Sequence, residues 1–163
     1  MLKNLFGQKD THEVLLAPLS GKVMDMEEVP DPTFSKKMMG DGIAILPTEG
    51  KVVSPIKGKV IQVFPTKHAI GLESKNGVEI LIHIGLETVA LNGEHFETHV
   101  KVGQTVKPGD LLVSFELVEV EKKAESIISP IVVTNGEKVS ELDKQTGSDV
   151  IAGESEVIRY RLN

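Results

Sequence analysis

The chain has 163 residues, 40% apolar and 26% charged, with a net charge of -6, which suits one domain with its own core and argues against nucleic acid as a partner. It contains no cysteine, so a disulfide framework, a zinc ribbon and a thiol nucleophile are excluded. No apolar run approaches the roughly 18 residues of a membrane helix, and Met1-Leu2-Lys3-Asn4-Leu5-Phe6-Gly7 is too short and polar for a signal peptide. The expected protein is therefore a cytoplasmic monomer without stable membrane insertion, whose acidic surface favours a basic protein partner.

Residues 1–12 read as a short flexible segment in which Leu2, Leu5 and Phe6 fit one amphipathic turn, and residues 13–163 read as a single domain. Short Val/Ile/Leu runs predict strands at 13–17, 42–46, 51–53, 59–64, 69–73, 78–84, 111–115 and 131–134. Gly and Pro fall mostly between them, the pattern of an antiparallel sandwich or barrel. Two helical segments are expected, at 34–39 before Gly40 and at 118–126 ahead of Pro130. Ala17-Pro18-Leu19-Ser20-Gly21-Lys22-Val23 recurs as Ser54-Pro55-Ile56-Lys57-Gly58-Lys59-Val60, with a weaker echo at Ser129-Pro130-Ile131. Each copy reads as a proline-led corner opening a new strand, either repeated turn chemistry or the two halves of a pseudo-symmetric sandwich.

Two of the five histidines, His68 and His83, fall on one expected hairpin whose turn carries Asn76-Gly77. A two-residue turn sets His83 opposite Ile70 with His68 diagonal to it; a four-residue loop sets the histidines face to face. Either register puts their Cβ atoms about 4.5–8 Å apart. A three-residue loop would send them to opposite faces. Along the second strand Ile80, Ile82, Ile84 and Leu86 share a core-building face, and Leu81, His83 and Gly85 share the other. Gly85 is expected to leave His83 open to a large approaching group. Paired imidazoles of this kind suit packing, zinc binding or nucleophilic work, and spacing alone does not choose among them.

Longer motifs add to this. Met39-Gly40-Asp41-Gly42-Ile43-Ala44-Ile45-Leu46-Pro47, Thr66-Lys67-His68-Ala69, and the run from Gly77 to Val89 centred on His83-Ile84-Gly85 resemble the glucose-type IIA domain of the bacterial phosphoenolpyruvate-dependent sugar phosphotransferase system. Ala17-Pro18-Leu19-Ser20-Gly21 and Gly153-Glu154-Ser155 also fit, and the resemblance covers roughly residues 12 to 160. It implies an all-β fold: a mostly antiparallel β-sandwich, or barrel-sandwich hybrid, with Greek-key or jelly-roll-like connections and one or two short helices. It further implies a phosphocarrier that takes a phosphoryl group from the small protein HPr and hands it to the IIB domain of a sugar permease, with no cofactor. By motif, the phosphorylated residue falls on His83, the supporting imidazole on His68 and a hydrogen-bonding threonine on Thr66. Docking residues fall on Phe34, Met38, Met39, Phe64, Leu81 and Val89, with rim carboxylates at Asp31 and Glu87. The chain reads as a free-standing form without the longer enteric N-terminal extension, and regulatory target proteins stay an open expectation.

Two rival functions compete with this reading. A biotinyl or lipoyl carrier would share the corner Val102-Gly103-Gln104-Thr105-Val106-Lys107-Pro108-Gly109-Asp110-Leu111-Leu112 but needs a lysine at an exposed hairpin tip, for which Lys37-Met38-Met39 is the nearest candidate. A zinc hydrolase would use His68 and His83 as ligands with a third from Glu87 or Glu73. His95 and His99 are expected at the surface, and Asp41 is expected to serve a turn.

Overall fold

Strand pairing follows the alternation of apolar and polar residues, and every pairing among the described residues is antiparallel. A computed structural model describes residues 11–163. The expected flexible segment and the turn of Leu2, Leu5 and Phe6 lie outside the described residues, apart from Thr11 and His12. The strands are β1 (His12–Leu16), β2 (Gly21–Asp25), β3 (Asp41–Pro47), β4 (Lys51–Val53), β5 (Gly58–Val63), β6 (Ala69–Ser74), β7 (Glu79–His83), β8 (Phe96–Thr98), β9 (Thr105–Val106), β10 (Leu111–Phe115), β11 (Ser129–Val133), β12 (Val139–Lys144), β13 (Asp149–Val150) and β14 (Glu156–Leu162). The helices are α1 (Pro32–Ser35) and α2 (Leu117–Lys123).

One large sheet runs β13-β2-β3-β11-β7-β6-β5-β9, and two three-stranded sheets run β1-β14-β12 and β4-β10-β8. Insertion of β11 between β3 and β7 is the Greek-key-like crossover that an open antiparallel sandwich requires. Leu15, Ile43, Ile45, Ile80, Ile82, Leu112, Val113 and Tyr160 fill the main core. The Tyr160 hydroxyl donates to Glu13 at 2.7 Å, and Asn76 Nδ2 donates to the other oxygen of the same carboxylate at 2.6 Å. A second, smaller cluster lies apart from the main core. Ala44, Ala69, Leu81, Leu86 and Val132 are covered there by Met26, Val29 and Phe34. Those three belong to the cap, residues 26–39, which runs from the 3-10 turn Met26–Glu28 through α1 to the turn that holds Lys37.

The repeated corners are related by more than sequence. Leu16 N donates to Pro55 O at 3.0 Å, and Val53 N donates to Pro18 O at 2.8 Å. The residue before each corner thus bonds the proline carbonyl of the other corner, which is the reciprocal exchange of a pseudo-twofold pair. Both corner glycines open strands against a neighbouring carbonyl: a Cβ on Gly21 would lie 2.0 Å from Leu46 O, and one on Gly58 2.1 Å from Glu73 O. Gly58→Ala is therefore expected to lower stability by about 1–3 kcal/mol, read as a lower urea midpoint with an unchanged slope. The third echo behaves differently. Ser129-Pro130 opens β11, where Pro130 faces Ala44 of β3 and pairing with β7 begins only at Ile131, so the missing N–H costs no ladder bond on that side.

The hairpin takes the register that the sequence argument set against the site. Ala69 faces His83, Ile70 faces Ile82 and Glu73 faces Glu79. Ser74 N donates to Val78 O at 2.8 Å, and Gly77 N to Ser74 O at 2.9 Å. The loop is thus three residues long, closed by Gly77 at φ 85°. Strict alternation would put His68 and His83 on opposite faces, yet their rings meet. His68 precedes β6, in a bend after Lys67 at φ 61°, so the pleat does not dictate its direction. Alternation also ends sooner than expected on β7. Ile80, Ile82 and Ile84 enter the main core, but Leu86 joins the smaller cluster because the chain turns over at Gly85.

Candidate functional site

The site is a shallow depression of about 260 Å³ over the smaller cluster, lined by Asp31, Thr33, Phe34, Met39, Phe64, His68, Leu81, His83, Glu87 and Val89. Three segments supply it. The cap brings Asp31, Thr33 and Phe34, with Asp31 capping α1 by accepting from Thr33 N at 2.9 Å and Pro32 opening the helix. The β5–β6 turn brings Phe64, Thr66 and His68. The end of β7 and the turn after it bring Leu81, His83, Glu87 and Val89.

His83 stands between aromatic neighbours. Its ring centroid is 4.9 Å from that of His68, at an interplanar angle of 82°, and 5.1 Å from that of Phe34, at 57°. Phe64 backs His68 edge-on at 5.5 Å. Nδ1 of His83 lies 2.8 Å from Gly85 O. A carbonyl can only accept, so Nδ1 carries the proton and Nε2 keeps the lone pair. Gly85 makes this contact by adopting φ 72°, and a Cβ there would meet Thr88 Cγ2 at 2.8 Å and Ser126 O at 2.9 Å. Gly85 therefore does not open space beside His83, as the sequence suggested; its left-handed turn aims a carbonyl back at the ring.

His68 is 4% exposed, and its Nδ1 lies 2.7 Å from Thr66 Oγ1. Burial, reinforced by the neighbouring His83, lowers its pKa to about 4. Burial also lowers the pKa of His83, against the opposing pull of the Gly85 carbonyl and the Asp31 and Glu87 carboxylates. Near neutrality both rings are thus uncharged, the state in which an imidazole is nucleophilic.

The expected docking residues divide by exposure. Met38 is 72%, Val89 49% and Met39 38% exposed, whereas Phe34 at 4% and Leu81 at 7% form the floor. Phe34 and Leu81 belong to the smaller cluster, so they contribute shape beneath the depression and little surface above it. Phe64 is half-buried at its edge. Sequence reasoning missed Thr33 on the lining and the part played by the Gly85 carbonyl. A glycine two positions after a histidine was the available signal. His99 is exposed and bonded to Ser114 at 2.8 Å. His95 departs from a bare surface reading: Nδ1 contacts Glu116 at 2.8 Å and Nε2 contacts Lys123 at 2.9 Å.

Neither rival function finds its parts. Lys37 follows α1 in a left-handed turn and is paired with Glu27 and Asp41, which is no hairpin tip. Glu73 lies at the other end of β6 from His68, and among the described residues no cluster of three or more His, Asp or Glu side chains is placed to hold a metal ion. No helix among the described residues is long and apolar enough to cross a membrane.

The model for the EIIA 1 family of the phosphoenolpyruvate-dependent sugar phosphotransferase system matches residues 13–139. The chain is 53% identical over 164 residues to the PTS system glucose-specific EIIA component of Bacillus anthracis, covering 99% of both chains. It is 49% identical over 168 residues to the protein of the same name from Staphylococcus aureus strain COL, covering 100% of both. The solved structure of glucose permease IIA from Mycoplasma capricolum superposes with a TM-score of 0.85 at 42% identity, over 92% of this chain and 96% of that one. Fold and sequence together define a phosphotransferase component of sugar transport. The chain belongs to the phosphoenolpyruvate-dependent sugar phosphotransferase system EIIA 1 family.

Proposed function

We propose that this chain carries one phosphoryl group on Nε2 of His83, taken from phospho-HPr and delivered to the IIB domain of a glucose-type permease, a relay that runs in the cytoplasm. The observation that carries the reading is the bond from His83 Nδ1 to the Gly85 carbonyl, 2.8 Å long. It reserves Nε2 as the nucleophile. As Nε2 bonds to phosphorus, the N–P bond of the donor breaks and its electron pair returns to the donor's ring. The His83 ring gains positive charge while Nδ1 keeps its proton, and the Gly85 carbonyl stabilises that charge. Delivery to IIB reverses the sequence on the acceptor's side.

His68 serves the phosphoryl group in transit. The Thr66 hydroxyl, 2.7 Å from Nδ1, can donate there, and in that tautomer His68 offers Nε2–H to a phosphoryl oxygen. A partner docked on the apolar part of the lining would exclude water from a bond that water would hydrolyse. Incubation with phosphoenolpyruvate, enzyme I and HPr, followed by mass spectrometry under alkaline conditions, is expected to show one base-stable, acid-labile phosphoryl group on His83. Phosphate on any other residue would overturn the assignment.

HPr and IIB must reach the same atom, so both are expected to dock over Met38, Met39, Phe64 and Val89 and to exclude each other. Asp31 and Glu87 at the rim should speed encounter with a basic partner more than they tighten the complex. Raising ionic strength from about 0.01 to 0.1 M, which cuts the screening length from about 30 to 10 Å, should slow association with little change in dissociation. Chemical-shift mapping with each partner checks the shared footprint, and a stable ternary complex would contradict it.

A further inference from the structure

Asp41 has more partners than a turn residue needs. A single oxygen, Oδ1, accepts from Gly42 N at 2.8 Å and from Lys144 Nζ at 2.6 Å, and lies 3.5 Å from Lys37 Nζ. Lys37 Nζ also reaches Glu27 Oε1 at 3.4 Å. Charges therefore alternate along Glu27, Lys37, Asp41 and Lys144. Glu27 lies in the 3-10 turn that begins the cap and Lys37 at the end of the cap. Asp41 is the first residue of β3, and Lys144 the last of β12 in a different sheet. The chain of charges closes the cap on itself and ties it to two sheets of the sandwich.

What the cap carries gives this tie its meaning. Phe34 packs its ring 5.1 Å from that of His83, and Asp31 lines the same depression. Lys37 follows within one turn, and its N–H bonds back to Phe34 O at 2.9 Å. Lys37 holds φ 56°, a conformation lysine rarely adopts without outside support. Isolated surface ion pairs contribute little; here the Lys144 side chain is only 17% exposed, and the Lys37–Asp41 pair, 35% and 39% exposed, gains its leverage by sharing Oδ1 with that part-buried partner. Burial works to raise the Asp41 pKa, and the Lys144 hydrogen bond, the Gly42 N–H and the two ammonium charges outweigh it, so the carboxylate stays ionised.

We propose that Asp41 is a positioning residue: through Lys37 it fixes the cap, and thereby the pose of Phe34 and Asp31 against His83. The consequence for transfer rests on the reading of His83 as the phosphoryl acceptor; the geometric consequence does not. Two readouts separate them. The His83 ring proton resonances in the unphosphorylated protein report the Phe34 ring current, and the rate of uptake from phospho-HPr reports the chemistry.

Asp41→Asn is expected to move the His83 ring resonances and to slow uptake by about tenfold at saturating HPr, the scale of a small misplacement. Lys37→Met cuts the tie while leaving Asp41 bonded to Lys144 and Gly42, so it tests the same link should Asp41→Asn fold poorly. It should reproduce the resonance change, and Asp41→Glu should restore it in part. Unmoved His83 resonances in Lys37→Met, with only a lower melting temperature, would overturn the proposal and leave a merely structural ion pair. If the parent protein takes up no phosphate on His83, the transfer reading fails while the resonance test of Asp41 still stands.

Discussion

Replacing His83 by glutamine is expected to abolish phosphoryl acceptance, lowering the rate by at least about 10³, as removal of a nucleophile does. His83 is the imidazole whose Nδ1 is committed to a backbone carbonyl, so its Nε2 is the defined lone pair. His68 also has a ring in the depression, but its Nδ1 partner is a hydroxyl that can donate or accept, so its tautomer is not fixed in the same way. Glutamine keeps much of the volume between Phe34 and His68 and should leave the fold intact. The measurement is a time course of labelled phosphate from phospho-HPr, with circular dichroism as the control. Uptake by the variant at the parental rate would remove His83 from the mechanism.

His68→Ala should separate the two half-reactions. Acceptance on His83 should persist, because the nucleophile and its Gly85 anchor are untouched. Delivery to IIB should fall by about 10²–10³, the value of one well-placed hydrogen bond to a group in transit. Rapid-quench transfer from the phosphorylated variant checks this, and equal delivery rates would contradict it. The same substitution has a second signature. His68 titrates near 6.5 when unfolded and about 4 when folded. Between those values the unfolded chain binds a proton that the folded one refuses, so stability falls as pH drops through this window. His68→Ala should flatten that loss, read as a smaller drop in urea midpoint between about pH 6.5 and 4.

The sequence was most legible where chemistry is local. Asn76-Gly77 located the hairpin, and the alternation of Ile80 and Ile82 against Leu81 and His83 named its two faces. It was less legible where one residue changes the phase. The three-residue loop shifts the register, and His68 meets His83 because Lys67 turns the chain outside the pleat. Strands without a Val/Ile/Leu run were missed altogether. In Val139–Lys144 and Glu156–Leu162 the apolar residues are interrupted by exposed Glu141, Asp143, Glu156, Arg159 and Arg161, as in strands half open to water. Phe34 and Leu81 matched docking positions by motif, yet whether a large apolar side chain lies on or beneath a surface depends on what covers it. Here the cap does.

The division into two apolar clusters gives different parts of the chain different lifetimes. The cap over the smaller cluster holds a four-residue helix and a three-residue 3-10 turn, whereas β6, β7 and β11 are laced into the middle of the large sheet. Opening the cap exposes only Met26, Val29, Phe34 and the residues beneath them, a small fraction of what global unfolding exposes. Amide deuterium exchange should therefore run through local opening in residues 26–39 and through global opening in the strand that carries His83. His83 would then sit on a slowly exchanging strand, and the cap beside it on a segment that opens more readily. A partner can then remodel the wall without disturbing the mount.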